Sequence, residues 1–280
     1  MQSVASAEPS LEKVYNRVPK VTTDFWIVKL LAVTVGETAA DLLSVDLGLG
    51  LSATSAIMTG FLIAILIIQF SQRRYVPAIY WLAVVAVSVV GTLLTDKLVD
   101  DFGVSLEIAT IAFSIALAAT FYAWYSVEKT LSIHTIYTLR REAFYWLAIL
   151  LTFAVGTAAG DLVAESLGLG YFPAMLLYFG VIAVIAGSYY LFEMNSVLAF
   201  WLAYIFTRPL GASLGDYLAQ PVDDTGLGFG TITTSAIFLG LIVVFITYMM
   251  LSRDGEETGH KTSTSDQISK TRGKSYAKQS

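Results

Sequence analysis

Four aromatic–tryptophan pairs, each followed at fixed distances by a glycine and an aspartate, constrain this chain more than any other feature. The pairs are Phe25-Trp26, Tyr80-Trp81, Tyr145-Trp146 and Phe200-Trp201. Ten residues after each tryptophan stands Gly36, Gly91, Gly156 or Gly211, and five residues after each glycine stands Asp41, Asp96, Asp161 or Asp216. Four of the five tryptophans lie in this pattern, which recurs without a gap. Such regularity marks an architecture assembled from one repeated supersecondary unit. A further glycine follows seven residues after the aspartate in three copies, at Gly48, Gly103 and Gly168, and ten residues after it in the fourth, at Gly226.

The chain between these markers is apolar. It is 56% hydrophobic and 14% charged, against roughly 25% charged for a soluble domain. Residues 53–70 hold no ionisable side chain and residues 232–251 hold only Tyr248. About 20 apolar residues cross a ~30 Å hydrocarbon core, so several such stretches predict a polytopic membrane protein. Helices are predicted over 24–44, 51–70, 79–98, 105–125, 143–163, 172–192, 197–218 and 230–251. The predicted fold is all-α, with eight transmembrane helices as four parallel two-helix repeats (about 24–70, 79–125, 143–192 and 197–251) related by pseudo-symmetry. An even helix count gives every repeat the same orientation, unlike inverted-repeat transporters. Residues 1–22 are expected to form a cytoplasmic N-terminal segment, 23–252 the transmembrane domain, and 253–280 a disordered cytoplasmic tail. The polar N-terminal stretch lacks the apolar core and cleavage site of a signal peptide, so the first apolar segment is expected to be retained.

Basic residues set the expected orientation. Fourteen of the 17 lysines and arginines lie at the termini or between hairpins, and the turns within hairpins hold only Lys97. Both termini are therefore expected on the cytoplasmic side. The lack of cysteine excludes disulfides and thiolate metal sites. His134 and His260 fall outside the apolar spans, which argues against haem or a histidine cage inside the membrane. No nucleophile elbow, metalloprotease motif or phosphate-binding loop occurs, so neither enzymatic activity nor a cofactor is expected. The expected partners are the lipid bilayer and a small cation or proton, not nucleic acid.

The spacing also sets a depth. Trp26 to Asp41 is 15 residues, or ~22 Å at the helical rise, and seven more residues to Gly48 add ~10 Å. The sum matches one bilayer core. Trp26, Trp81, Trp146 and Trp201 are thus expected as interface anchors, with the glycines at the opposite turn and each aspartate inside the outer third of the membrane. An ionised residue at helix centre costs ~2.5–3.5 kcal/mol, less nearer the edge. Protonation, water, a basic partner or a bound cation can offset that cost. Asp41, Asp96, Asp161 and Asp216 are therefore candidate cation or proton ligands. The alternative is structural glue, each carboxylate bonded to a neighbouring helix or turn. Gly36, Gly91, Gly156 and Gly211 read as close-packing positions.

The repeats differ at telling places. Glu37 occupies a position held by Thr92, Thr157 and Ala212 elsewhere, four residues before Asp41 and on the same helix face. It either shares a proton or cation with Asp41 or pairs with a base. Arg208 lies mid-span, eight residues before Asp216, and Pro209 should kink the helix beside it. Arg208 is the expected charge partner of the acids. Lys29 lies three residues past Trp26 and is expected to snorkel to the interface. Glu107 is expected as a helix-start acid, and Lys97 as a neutraliser of Asp96. The Gly-Leu-Gly runs at 48–50, 168–170 and 226–228 are expected as tight helix–helix turns.

At these repeats the chain resembles a bacterial family of uncharacterised membrane-anchored proteins built from a tandem repeat of unknown function. The resemblance rests on Gly36-Glu-Thr-Ala-Ala-Asp41, on Ser132-Ile-His-Thr-Ile136 leading into Arg140-Arg-Glu-Ala-Phe-Tyr-Trp146, and on Gly156-Thr-Ala-Ala-Gly-Asp161. It implies a multi-pass protein of the bacterial inner membrane and supplies no activity. His134 belongs to a matching stretch and is expected as a solvated loop residue. The functional expectation is a transporter or channel for a small cation or proton. The alternatives are a non-transporting scaffold or stress-related accessory protein, and a proton-coupled organic-solute exporter.

Overall fold

The computed structural model describes residues 16–251. The expected tail at 253–280 and most of the 1–22 segment lie outside the described residues. Among the described residues eight long helices follow one another: α1 Thr23–Asp41, α2 Leu51–Ser71, α3 Pro77–Asp96, α4 Leu106–Glu128, α5 Leu139–Asp161, α6 Tyr171–Leu191, α7 Ser196–Ala219 and α8 Thr231–Leu251. The helix starts follow local chemistry. Thr22, Thr138 and Asn195 accept hydrogen bonds from the backbone N–H groups of Phe25, Arg141 and Val197, which satisfies donors that a helix start leaves open. Pro77 occupies the first turn of α3, where its missing N–H costs nothing. The turns rely on glycines at positive φ, among them Gly50 at 76° and Gly170 at 81°, a region that side-chain-bearing residues avoid.

Seven of these helices are long and apolar enough to cross a membrane; α1 is not among them. Its 19 residues carry Asp24, Lys29, Glu37 and Asp41. The chain divides into two units, Met1–Ile242 and Val243–Ser280. The described part of the second, 243–251, is helical and largely exposed. All that follows concerns the first.

The helices sort into two classes. Within the apolar windows of α3, α5 and α7, 72%, 61% and 56% of residues are buried, against 17% in α2, α4 and α6. The first helix of each repeat is thus interior and the second peripheral. α1 packs on α3, α3 on α5, α5 on α7 and α7 on α1, which closes a ring of four. Three of the peripheral helices lean on the interior helix of the next repeat: α2 on α3, α4 on α5 and α6 on α7. The periphery presents rows of exposed large apolar side chains such as Ile57, Phe61, Ile63, Ile67 and Ile68. Soluble monomers rarely expose patches of that extent, and lipid is the solvent that suits them.

Two sets of contacts hold the ring and fix its direction. At the tryptophan end, Phe25 meets Trp81 at 5.5 Å, Tyr80 meets Trp146 at 5.5 Å, Tyr145 meets Trp201 at 6.2 Å and Phe200 meets Trp26 at 5.7 Å. Ten residues on, Gly36 faces Ser88, Gly91 faces Phe153, Gly156 faces Arg208 and Gly211 faces Val33. In every case one repeat touches the next at the same relative position, and the fourth touches the first. Both ends match in the same sense, so the four interior helices run parallel. The glycines are there for closeness: a Cβ on any of them would overlap the facing side chain.

Gly91→Ala is therefore expected to lower stability by ~1–3 kcal/mol, the usual cost of overpacking, while Gly60→Ala, with open space around it, is expected to be neutral or mildly stabilising. Thermal unfolding in detergent checks both; equal melting of the two variants contradicts the close-approach role.

Candidate functional site

The interior helices carry polar groups at matching depth, four residues apart. Position three after the tryptophan is Lys29, Val84, Ile149 or Tyr204; position seven is Val33, Ser88, Phe153 or Arg208; position eleven is Glu37, Thr92, Thr157 or Ala212. All twelve are buried. Residues at i and i+4 share a helix face, so each interior helix presents one stripe to its neighbours. Position fifteen is the aspartate.

Arg208 occupies the middle of the ring. Its side chain is fully buried, yet it reaches all three other interior helices. One guanidinium nitrogen donates to Glu37 Oε2 at 2.8 Å on α1, to Thr157 Oγ1 at 2.7 Å on α5, and to Thr92 Oγ1 on α3. The second donates to the Val33 carbonyl at 3.4 Å. The guanidinium also lies 5.6 Å from the Phe153 ring centre. Its Nε has no partner among the described residues. The expected pairing of Arg208 with a membrane acid is therefore specific: the partner is Glu37, the acid that replaces a threonine or alanine in the other copies.

One turn further on, the acids converge. Carboxylate oxygens of Glu37, Asp161 and Asp216 all lie within 4.8 Å of one another. The charge of Glu37 also acts on Asp41 and Asp96, so one residue is the electrostatic neighbour of all four aspartates. Gln220 Nε2 donates to Asp41 Oδ2 at 3.2 Å. No described residue donates a hydrogen bond to Asp96, Asp161 or Asp216. Structural glue requires such bonds, and three of the four aspartates lack them. Asp41, Asp96 and Asp161 are half-buried while Asp216 is buried, so this level opens toward the turn end of the bundle.

The backbone changes at the same level. In the first three repeats the aspartate is the last α-helical residue, and a π-helical turn follows: Leu42–Asp46, Lys97–Asp101 and Leu162–Ser166. Its i→i+5 bonds run from Leu47 to Leu42 at 2.9 Å, Phe102 to Lys97 at 3.3 Å and Leu167 to Leu162 at 2.9 Å. Single π turns are frequent at functional sites. The fourth copy stays α-helical to Ala219 and continues into a longer loop. Between that loop and the third repeat's turn lies an open, polar cleft of about 440 Å³, lined by Glu165, Gly168, Tyr171, Gln220, Asp224 and Thr225. Tyr171 donates to Glu165 at 3.1 Å, and Gln220 joins the cleft to Asp41.

The family model described as a Repeat of Unknown Function (DUF347) matches four times, over residues 25–75, 79–130, 144–195 and 199–254. The chain belongs to this family. No curated protein and no solved structure matches it. Each DUF347 copy thus contributes one aspartate, one close-packing glycine and one aromatic pair. The groups unique to a copy, Lys29, Glu37 and Arg208, fill the space the four enclose.

Other expectations shift. Lys29 does not snorkel: it is 1% exposed, donates to the Tyr204 carbonyl at 2.9 Å and lies 4.0 Å from the Tyr204 ring centre. Trp81, Trp146 and Trp201 are buried in the aromatic contacts of the ring, so they pack against protein; only Trp26 is partly exposed. Lys97 bonds Asp101 at 2.7 Å and Ser52 at 2.6 Å, not Asp96. Glu107 is an exposed residue of the first turn of α4, and His134 is exposed in a short loop helix.

Sequence reasoning missed a second polar knot at the tryptophan end. Glu142, fully buried, accepts from Arg17 at 2.5 Å and from Gln69 at 2.9 Å. Close by, Tyr80 and Tyr145 share a hydrogen bond of 2.5 Å. The available signal was Glu142 itself, an acid at the mouth of an apolar span beside Arg140 and Arg141.

Arg208→Met strands Glu37 among other acids and is expected to cost ~3–5 kcal/mol, as for one partner of a buried pair. The double variant Arg208→Met, Glu37→Gln is expected to regain part of that loss, because no uncompensated charge remains. A double-mutant cycle on detergent melting measures the coupling; purely additive losses contradict the pairing.

Proposed function

We propose that this protein is a transporter for a small cation or proton, and that Glu37, Asp41, Asp96, Asp161 and Asp216 form its binding site. The observation that carries the reading is the convergence of Glu37, Asp161 and Asp216 within 4.8 Å without hydrogen-bond donors for the two aspartates. Hard oxygen ligands of this kind suit small, hard cations and protons. The backbone adds to their pull. Four parallel interior helices bring their C-terminal ends to this level, where each macrodipole is negative. Negative side chains at negative helix ends make a site that a cation stabilises.

In this reading α1 is the eighth span, since its charged Lys29 and Glu37 are buried in the ring rather than turned to lipid. The four hairpins then form a pseudo-fourfold bundle. Positive-inside bias supports a cytoplasmic tryptophan end and cytoplasmic termini, and the family resemblance supports a bacterial inner membrane as the location. The site faces outward through its half-buried aspartates and the cleft at Tyr171 and Gln220. The inward route is shut by Arg208, Lys29 and the aromatic layer, which favours a carrier over a permanently open channel.

Arg208 is at once counter-ion and gate. It neutralises part of the acid charge when the site is empty, and a cation arriving at Glu37 competes with it. A scaffold is the second reading, favoured by the way Arg208 fastens four helices together.

Purified protein in liposomes separates the two. Under imposed gradients of Na⁺, K⁺, Mg²⁺, Ca²⁺ or H⁺, wild type is expected to carry at least one of these ions. Asp161→Asn and Asp216→Asn are expected to reduce that flux at least tenfold while keeping the wild-type melting temperature. A wild type that carries none of them, with variants that simply unfold, leaves the scaffold reading standing.

A further inference from the structure

Lys29 is a buried ionisable group whose proton the proposed function does not use. Lys29 has been placed by the ring, not by a carboxylate partner. Its ammonium has three N–H donors; one described acceptor, the Tyr204 carbonyl, takes a bond at 2.9 Å. Aromatic faces surround the rest, with ring centres of Tyr204 at 4.0 Å and Phe153 at 5.8 Å. The groups facing it from the other interior helices are Arg208 and Tyr204 on α7 and Phe153 on α5; on its own helix the nearest acids are Asp24, five residues before it, and Glu37, eight residues after it. No described acid bonds to it. Aromatic quadrupoles hold a cation less strongly than a carboxylate does, so this amine can lose its proton without leaving a partner charge behind.

Lys29 and Arg208 are also linked. Both lie against one ring, that of Phe153, at 5.8 Å and 5.6 Å, and the charge of Arg208 acts on Lys29 directly. Arg208 cannot give up its proton; Lys29 can. Buried hydroxyls stand on the side away from the acids: Tyr204 Oη, unpartnered among the described residues, and Tyr80 bonded to Tyr145. Glu142, which accepts from Arg17 and Gln69, stands three residues before Tyr145 on α5.

We propose that Lys29 holds the proton that is exchanged for the transported cation. This rests on the reading of the acids as a cation site. When a cation occupies Glu37, Asp161 and Asp216, Glu37 no longer offsets Arg208 fully, and the positive potential around Phe153 rises. The Lys29 ammonium then breaks one N–H bond and gives the proton to water on the tryptophan side of the ring; the lone pair stays on nitrogen. When the cation leaves, the amine takes a proton back. The coupling is reciprocal, as linkage requires: protonation of Lys29 weakens cation binding by the same factor that cation binding weakens the proton's hold. The carboxylates select the cation, and the lysine makes its passage depend on the proton gradient.

The test counts protons in lightly buffered detergent solution as Na⁺, Mg²⁺ and Ca²⁺ chlorides are added in turn, with isothermal titration reporting binding. Wild type is expected to release protons with the cation it binds. Lys29→Met and Lys29→Arg are both expected to bind that cation, and both to release fewer protons than wild type. One variant removes the charge and the other makes it permanent, so a role in packing or in fixed charge would move them in opposite directions, whereas an exchangeable proton is lost in both. In liposomes, cation uptake by wild type should accelerate with an opposing proton gradient and uptake by either variant should not. If wild type binds none of the three cations, the exchange proposed here is overturned; the reading of the acid site fails with it only when the liposomes also carry neither K⁺ nor H⁺. If wild type binds and both variants release as many protons as it does, the acid site stands and the lysine proposal is overturned. Should Lys29→Met fail to fold, Lys29→Arg alone decides between these outcomes.

Discussion

A single guanidinium holds the interior of this protein in order. Arg208 donates to Glu37, Thr92 and Thr157, one residue from each of the other three interior helices. All three partners stand at the same repeat position, eleven after the tryptophan. The ring therefore closes around an asymmetric hub: one copy supplies the arginine, one the carboxylate and two the hydroxyls. A cation buried this deeply needs a charged partner, and the acid level just beyond it needs a cation nearby. Each makes the other possible. Pro209 follows immediately and packs against Gly156 and Gly160 of α5, so the hub sits where α7 lacks one backbone hydrogen bond and the two helices approach closely.

Most of the frame was legible in the sequence because repetition carries its own control. A glycine or aspartate at one site means little; the same residue at the same offset in four copies fixes helix order, hairpin length and relative depth. The observed helices agree with the expected ones to within a few residues for this reason. Which helix lies inside was less legible, since α2, α4 and α6 are as apolar as the interior helices and only burial separates them. Composition alone also leaves α1 out of the membrane spans. A one-dimensional count of its charges does not reveal that Lys29 and Glu37 are buried in the ring.

The candidate site was half legible. The aspartates and the Glu37–Arg208 relation follow from spacing and from rarity in the membrane. The stripe at positions three, seven and eleven does not, because its members share no chemistry across copies: lysine, valine, isoleucine and tyrosine occupy one level. Pattern reading finds what repeats, and this stripe matters where it fails to repeat. Lys29 illustrates the cost of reading depth without direction. Three residues past a tryptophan it stands near the interface, but its side chain points into the bundle, where Tyr204 and Phe153 receive it. The tryptophans themselves were assigned to lipid because that is their usual place; here a neighbouring repeat's aromatic residue covers three of them.

The π turns tie these strands together. A helix that continued straight from each aspartate would carry the chain on in α geometry to the outer loop. The extra residue in the i→i+5 turn breaks that course directly after Asp41, Asp96 and Asp161, and the glycine turn follows. The aspartate thus stands at the last point of the rigid frame, fixed by the ring on one side and next to less regular backbone on the other. The carboxylate is thereby held at a defined level while the backbone just beyond it is less regular. The fourth repeat has no such turn, and there the loop bearing Gln220 reaches across to Asp41 instead. Repetition supplies the acid level, and the fourth copy, which departs from the others, supplies both the arginine beneath it and one wall of the polar cleft above.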